Sequence, residues 1–331
     1  MADRIYAYSS SPHIKNPRTT KNIMIDVCIA LIPACIMGII YFGYMAGVLI
    51  AISALSAVAS EFVFLLIAGK KFKQIAKEFD FTSLVTGLLI ALSIGVQSPW
   101  YTPIFANAFA IIAVKMLFGG TGKNLVNPAV TGRVFAFISF TGVMASGWVA
   151  PSIGAIFTGS SINPTTGATI LTDSFATSTT TSMHALDMFL GTGLAGCIGE
   201  TCKLALLLGG AYLVIRKVIV PIVPVIYIVV TGLFTVCLNG FDFGAFLPSI
   251  LSGGLFLGAI FMATDYTTSP NTFLGNIVYA IMLGLITAGL RQATGIEVVS
   301  FVILLMNIVV PLIDKYILPR PFGYKKAKEV K

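Results

Sequence analysis

Two groups of residues in this 331-residue chain could do chemistry. The first is a run of hydroxyls. From Pro151 to His184 there is no Lys or Arg, one acid (Asp173) and a dense set of Ser and Thr, with Asn163-Pro-Thr-Thr-Gly-Ala-Thr169 near the middle. Such hydroxyls can take a covalent group from an enzyme that reaches them. Gly167 and Ala168 leave the backbone beside Thr169 open to that approach. The second group is ionisable and lies in or at the ends of apolar runs: Asp26, Glu61, Asp80, Arg133, Glu200, Lys203 and Asp242. Charge at membrane depth is costly and points to ion paths or substrate sites. For Asp26, Asp80 and Asp242 the plainer alternative is interfacial solvation or helix capping. Glu200 lies deeper in its run, and Lys203, three residues on, would share its helix face. Structural pairing and a part in an ion path are both open for these two.

The elements that must carry these residues follow from composition. The chain is 56% hydrophobic and 10% charged, with a mean hydropathy of +0.93. Soluble domains carry about 25% charged residues, so a water-soluble fold is excluded. Solid apolar runs, rather than weak alternation, exclude a barrel and predict an all-α polytopic membrane protein. The net charge of +8 reads as the cytoplasmic Lys/Arg excess of a membrane protein, not as a nucleic-acid footprint. Met1 to Asn22 is polar and basic, with no cleavable signal. The first apolar run begins at Ile23 and is long enough to act as its own targeting segment.

With roughly 20 apolar residues per span, Ile23 to Gly69 holds two spans, broken near Gly43-Tyr44. Phe81 to Val96 and Thr102 to Phe118 follow, then a fifth span ending near Val149. After the hydroxyl-rich stretch come Ala185 to Val214, Val218 to Leu238, Phe243 to Ala263, Phe273 to Leu290 and Val298 to Asp314. About ten spans with both termini inside put Lys70 to Lys77, Lys115, Lys123, Arg216, Lys217 and the basic tail on one side, leaving only Arg291 outside. Pro151 to His184 then falls outside.

An internal repeat is also visible. Phe79-Asp80-Phe81 and Phe241-Asp242-Phe243 each open a Leu/Gly-rich span. A Ser-Pro (Ser98-Pro99; Ser269-Pro270) and then an Asn (Asn107; Asn276) follow each. The two copies start on opposite sides, which predicts two inverted five-helix repeats. The expected division is 1–22 cytoplasmic, 23–150 first repeat, 151–184 extracytoplasmic loop, 185–316 second repeat and 317–331 cytoplasmic tail. Gly-rich stretches (Gly191, Gly193, Gly196, Gly199; Gly253-Gly254, Gly258) let helices pack closely or break them to make room for an ion or cofactor. The five cysteines lie in apolar runs without CxxC spacing. They read as small buried hydrophobes or as part of a metal or iron–sulfur site shared with a neighbouring protein; no metal site forms from this chain alone.

Several motifs together carry a resemblance. They are Ser11-Pro12-His13-Ile14, Asn127-Pro128-Ala129 with Arg133, Gly199-Glu200-Thr201, Phe261-Met262-Ala263-Thr264-Asp265 with Ser269-Pro270, and above all Thr166-Gly167-Ala168-Thr169. Over nearly its whole length the chain resembles the family that contains the D subunit of the Rnf complex and the B subunit of the Na⁺-translocating NADH:quinone reductase. The short segment before the first span looks more like the Rnf member. In that family the [Ser/Thr]-Gly-Ala-Thr motif is a flavinylation site, so the resemblance implies FMN joined through its phosphate to the Thr169 hydroxyl. Asn163 departs from the pattern, which usually has an acid six positions before the modified threonine.

The resemblance further implies a bacterial inner-membrane component of an ion-translocating ferredoxin:NAD⁺ oxidoreductase, with other Rnf subunits, a flavin transferase and Na⁺ or H⁺ as partners. The chain has no large extramembrane domain and no dinucleotide fingerprint, so it is not a complete enzyme. A second, non-covalent flavin among the spans is compatible with the sequence and not required by it. The reading from a different class is a carrier or channel without redox chemistry, which inverted repeats also suit.

Overall fold

The computed structural model describes residues 18–146, 148–149, 151, 185–192 and 195–318. Among the described residues the structure is helix and turn, with one isolated β-bridge between Val149 and Gly196. The first two helices are α1 (Thr20–Phe42) and α2 (Tyr44–Ile67), joined at Gly43. Gly43 has φ 75, a left-handed value that glycine adopts without strain, and it turns the chain back where the sequence predicts. Thr19 caps α1 by accepting from the Asn22 N–H. The short basic α3 (Phe72–Glu78) leads to α4 (Thr82–Leu92) and α5 (Tyr101–Ala108), which continues as a π-helix over Phe109–Met116. Asn127 caps α6 (Pro128–Ser139) with Pro128 in the first turn, and α7 (Thr141–Ser146) follows.

The second half begins with α8 (Ala185–Leu190), then α9 (Lys203–Ile215) and α10 (Ile222–Leu238). A 3₁₀ turn at Phe243–Ala245 opens α11 (Phe246–Leu251). The one-turn α12 (Leu255–Leu257) runs into a π-helix over Gly258–Met262. Long helices α13 (Phe273–Thr294) and α14 (Val299–Tyr316) close the fold.

The expectation of about ten spans is met only in part by these lengths. Among the described residues four helices, α1, α2, α13 and α14, are long and apolar enough to cross a membrane. The pair Phe243–Leu251 and Leu255–Met262, bent by 66°, makes a fifth if it is taken as one span. The eleven residues of α4 rise only about 17 Å, against roughly 30 Å of hydrocarbon. The run Ala185 to Val214, expected as one span, is two helices with an irregular segment between them. The fifth expected span likewise ends its first helix at Ser139.

These breaks persist because each satisfies the other's backbone. The Gly199 N–H donates to the Leu92 carbonyl at 2.8 Å, the Ile198 N–H to the Ile94 carbonyl at 3.1 Å, and Cys197 Sγ approaches the Ser93 carbonyl at 3.0 Å. Irregular backbone at membrane depth is tolerated where it is buried in protein in this way. A Cβ on Gly199 would lie 2.5 Å from the Leu92 Cβ, so only glycine allows the approach.

Around these breaks, α2 packs on α4 and α5, and α10 packs on α11, α12 and α13. The halves meet where α1 crosses α9 and α6 crosses α14. Large apolar side chains such as Leu55, Ile67 and Ile215 remain on the outside, as lipid contact requires.

Candidate functional site

Thr166, Gly167, Ala168 and Thr169 lie outside the described residues, as does the whole of 152–184. Its root is described. Val149 is buried and pairs with Gly196, in the irregular segment that carries Glu200. On its return side, the Tyr41 hydroxyl donates to the Leu190 carbonyl at 2.8 Å and holds the end of α8 against α1.

Glu200 is the centre of a buried charged cluster. It is 1% exposed and sits in a turn before α9, not within a helix. Its carboxylate partner is Arg133 on α6, at 3.0 Å between Nη2 and Oε1. Arg133 Nη1 also donates to Ser300 Oγ at 3.0 Å, tying α6 to α14. The expected Glu200–Lys203 side-chain pair on one helix face is not formed. With the helix broken at 191–202, Lys203 Nζ donates instead to the backbone carbonyl of Glu200, at 2.5 Å. Glu200 Oε2 is buried without a hydrogen-bond partner.

A second buried pair lies close by. Arg291 Nη2 meets Glu297 Oε2 at 2.9 Å and Oε1 at 3.1 Å. Arg291 also donates to the Ser249 and Ser252 carbonyls at 2.9 and 3.3 Å, at the C-terminal end of α11. Between the two pairs runs Gly253-Gly254. A Cβ on Gly253 would lie 1.7 Å from Glu297 Oε2, and one on Gly254 would lie 2.4 Å from Glu200 Oε1. Gly253 has φ 61. The bend between α11 and α12 is therefore the place where backbone approaches both carboxylates. Arg133, Glu297 and Ser300 also line one small chamber under Trp148, Phe137 and Phe301.

Asp80 and Asp242 occupy different settings. Asp80 Oδ1 accepts from the Thr82 N–H and hydroxyl at 3.1 and 2.6 Å, and Oδ2 from Thr121 at 2.6 Å. Lys115 reaches it at 3.9 Å while pairing with Glu61 at 2.9 Å, and it also donates to the Thr82 hydroxyl. Burial pushes the Asp80 carboxyl up, but the Lys115 charge and the hydrogen bonds from Thr121 and Thr82 outweigh it. The group is held below its ordinary value. Asp242 is exposed and caps the turn at Phe243–Ala245 by accepting from the Gly244 N–H at 2.8 Å. The structure thus brings Glu200 and Lys203 together, and leaves Asp80 and Asp242 apart from them and from each other's settings.

Asp80's neighbours border a cavity of about 90 Å³ between α1, α4, α6 and the Asp265 loop. Its walls are part apolar and part polar, with Thr82, Lys115, Asn124, Asp265 and Thr267 among the polar residues. Asn127 braces the cavity wall: its side chain donates to the Met262 carbonyl at 3.2 Å while capping α6. The cysteines are all free, and no group of three or more His, Cys, Asp and Glu suited to a metal occurs among the described residues.

Arg133 and Glu61 are visible in the sequence as charges at depth, but without partners. Glu297 is the residue that sequence reasoning misses. It stands in Gly295-Ile296-Glu297 between two long apolar runs, where hydropathy reads a surface link. Its one signal is Arg291, the basic residue on the wrong side of the charge asymmetry.

The arrangement has close relatives. Residues 7–323 match the model of the NQR2, RnfD, RnfE family. The chain belongs to this family. It is 40% identical over 323 residues to the D subunit of the Na⁺-translocating ferredoxin:NAD⁺ oxidoreductase complex of Acetobacterium woodii, covering 97% of this chain and 96% of that protein. It is 34% identical to the D subunit of the proton-translocating ferredoxin:NAD⁺ oxidoreductase complex of Clostridium ljungdahlii, covering 97% of each. It is 31% identical to the D subunit of the ion-translocating oxidoreductase complex of Psychromonas ingrahamii, covering 97% of this chain and 99% of that protein. The NQR2, RnfD, RnfE match spans both halves of the fold, so the buried cluster and the hydroxyl-rich stretch both fall inside it.

Proposed function

We propose that this chain is the D subunit of a bacterial ion-translocating ferredoxin:NAD⁺ oxidoreductase complex, carrying FMN as a phosphoester on Thr169. The observation that carries the reading is similarity over 97% of the chain to a D subunit, together with Thr166-Gly-Ala-Thr169 at the expected place. The donor chemistry fits: a threonine hydroxyl preceded by Gly167 and Ala168, two of the smallest residues, suits a phosphoester delivered by a flavin transferase. When bound, FMN supplies one- and two-electron transfer through its ring, which a phosphate link leaves free.

Around it, the chain's own residues have distinct tasks. The Val149–Gly196 bridge fixes the root of the loop to the segment bearing Glu200. Glu200, with a free carboxylate oxygen and Arg133 as its partner in place of Lys203, is the intramembrane group for a Na⁺ or H⁺ path. Asp80 serves the same path from the cytoplasmic edge through Lys115 and Glu61. Asp242 serves as a helix cap. The relatives' names divide between sodium and protons, so the ion is a question for each complex.

The cavity beside Lys115 and Asp265 is the place for a second, non-covalent flavin. Its mixed lining, an apolar side and a set of hydrogen-bonding side chains, suits a flat ring with a polar edge. The architecture supporting all this is two inverted halves of five segments each, some of them broken helices, with both termini cytoplasmic and 151–184 outside. Other Rnf subunits supply the sites for ferredoxin and NAD⁺.

In-gel flavin fluorescence of the denatured chain tests the reading. Co-expression with the transferase should give a fluorescent band at the chain's own mass, absent without the transferase. A colourless band in both lanes would contradict it and favour a non-redox carrier.

A further inference from the structure

Five ionisable side chains from separate segments meet in the buried cluster: Arg133, Glu200, Lys203, Arg291 and Glu297, all 9% exposed or less. Arg133 is paired with Glu200 and Arg291 with Glu297. Lys203 is 2% exposed and pairs with no carboxylate among the described residues; its ammonium rests on the Glu200 carbonyl. Three cations therefore stand against two carboxylates, and the cluster keeps one net positive charge with all five ionised. Protonation of either carboxyl only increases it.

The position of the odd charge is informative. Lys203 is the first residue of α9, where the helix dipole disfavours a cation. Its hydrogen bond satisfies the Glu200 carbonyl, a role that a neutral donor could fill without the charge. The charge stands beside Glu200, next to the Gly253-Gly254 bend that both carboxylates touch. Fixed positive charge at a constriction excludes cations, as in channels and pores.

On the reading that ions pass by Glu200, we infer that Lys203 is the electrostatic barrier to passive cation leak through this protein, and that Glu200 and Glu297 set its height. The barrier lets an ion enter only when another event in the cycle lowers it. In this way Lys203 separates coupled transport from leak. It is a specificity-determining residue for transport, and it touches no cofactor in this role.

The test uses the whole complex in proteoliposomes without electron donor, reading ²²Na⁺ efflux and a pH-sensitive dye. Lys203→Gln keeps a donor for the Glu200 carbonyl while removing the charge, and should raise passive leak roughly tenfold. Lys203→Arg should restore the tight state. Glu297→Gln raises the net positive charge and should leave leak at or below wild type while slowing donor-driven transport. A rise in leak for Lys203→Gln without one for Glu297→Gln supports the barrier, because loss of packing alone would raise both. Shifts in the same direction, or no change in leak from either while Glu200→Gln alters coupled transport, would overturn it. Coupled transport untouched by Glu200→Gln as well would overturn both the barrier and the ion path it rests on.

Discussion

Glu200 holds a buried carboxylate where α6 meets the turn before α9. A carboxylate at 1% exposure needs a partner, and Arg133 supplies it across the interface of the two halves. Arg133→Leu would strand that carboxylate, at a cost of about 3–5 kcal/mol, and should lower the thermal stability of the detergent-solubilised chain. Glu200→Gln is milder, because the amide oxygen still accepts from Arg133. It should leave the complex assembled and the flavin attached, and should reduce ion transport more than ferredoxin-dependent NAD⁺ reduction. Equal loss of both activities would make Glu200 a structural brace. The depth of Glu200 is legible in the sequence. Its partner is not, since i and i+3 spacing points to Lys203 only if the helix is continuous, and it is interrupted from Gly191 to Cys202.

Among the elements, the informative ones are the broken helices. Long apolar helices such as α1, α2, α13 and α14 need only length and hydrophobicity, and the sequence locates all four within a few residues. The interruptions depend on pairing between distant segments, such as Gly199 with Leu92, which no local window contains. A glycine-rich apolar run reads the same whether it packs closely or breaks, so Ala185 to Val214 and Phe243 to Ala263 look like plain spans. The bend at Ser252–Gly254 gives a direct check. Gly254→Ala places a Cβ 2.4 Å from Glu200 Oε1, and overpacking of this kind costs about 1–3 kcal/mol. Gly254→Ala should therefore lower the melting temperature, and combining it with Glu200→Ala, which vacates the colliding atoms, should recover part of the loss. Independent, additive losses would mean that the bend and the carboxylate are not in contact.

For the whole molecule, the prediction concerns sidedness. From charge asymmetry we predict both termini inside and 151–184 outside. A cysteine introduced at Ser174, in a background lacking the five native cysteines, should react with an impermeant thiol reagent added to intact cells. Labelling only after lysis would reverse the orientation and put the flavin on the side of ferredoxin and NAD⁺. With the loop outside, electrons must cross the membrane to reach it and return. Each charge moved is worth about 2.3 kcal/mol per 100 mV, so ion coupling needs a site whose affinity or access follows the redox state. The central claim beneath this account is that Thr169 bears the flavin. Peptide mass mapping of the chain after co-expression with the transferase tests it most directly. The expected result is the mass of a phosphoester-linked FMN on the peptide containing Thr169, lost in Thr169→Ala and retained in part in Thr169→Ser. FMN on another residue, or none on the wild-type chain, would contradict it.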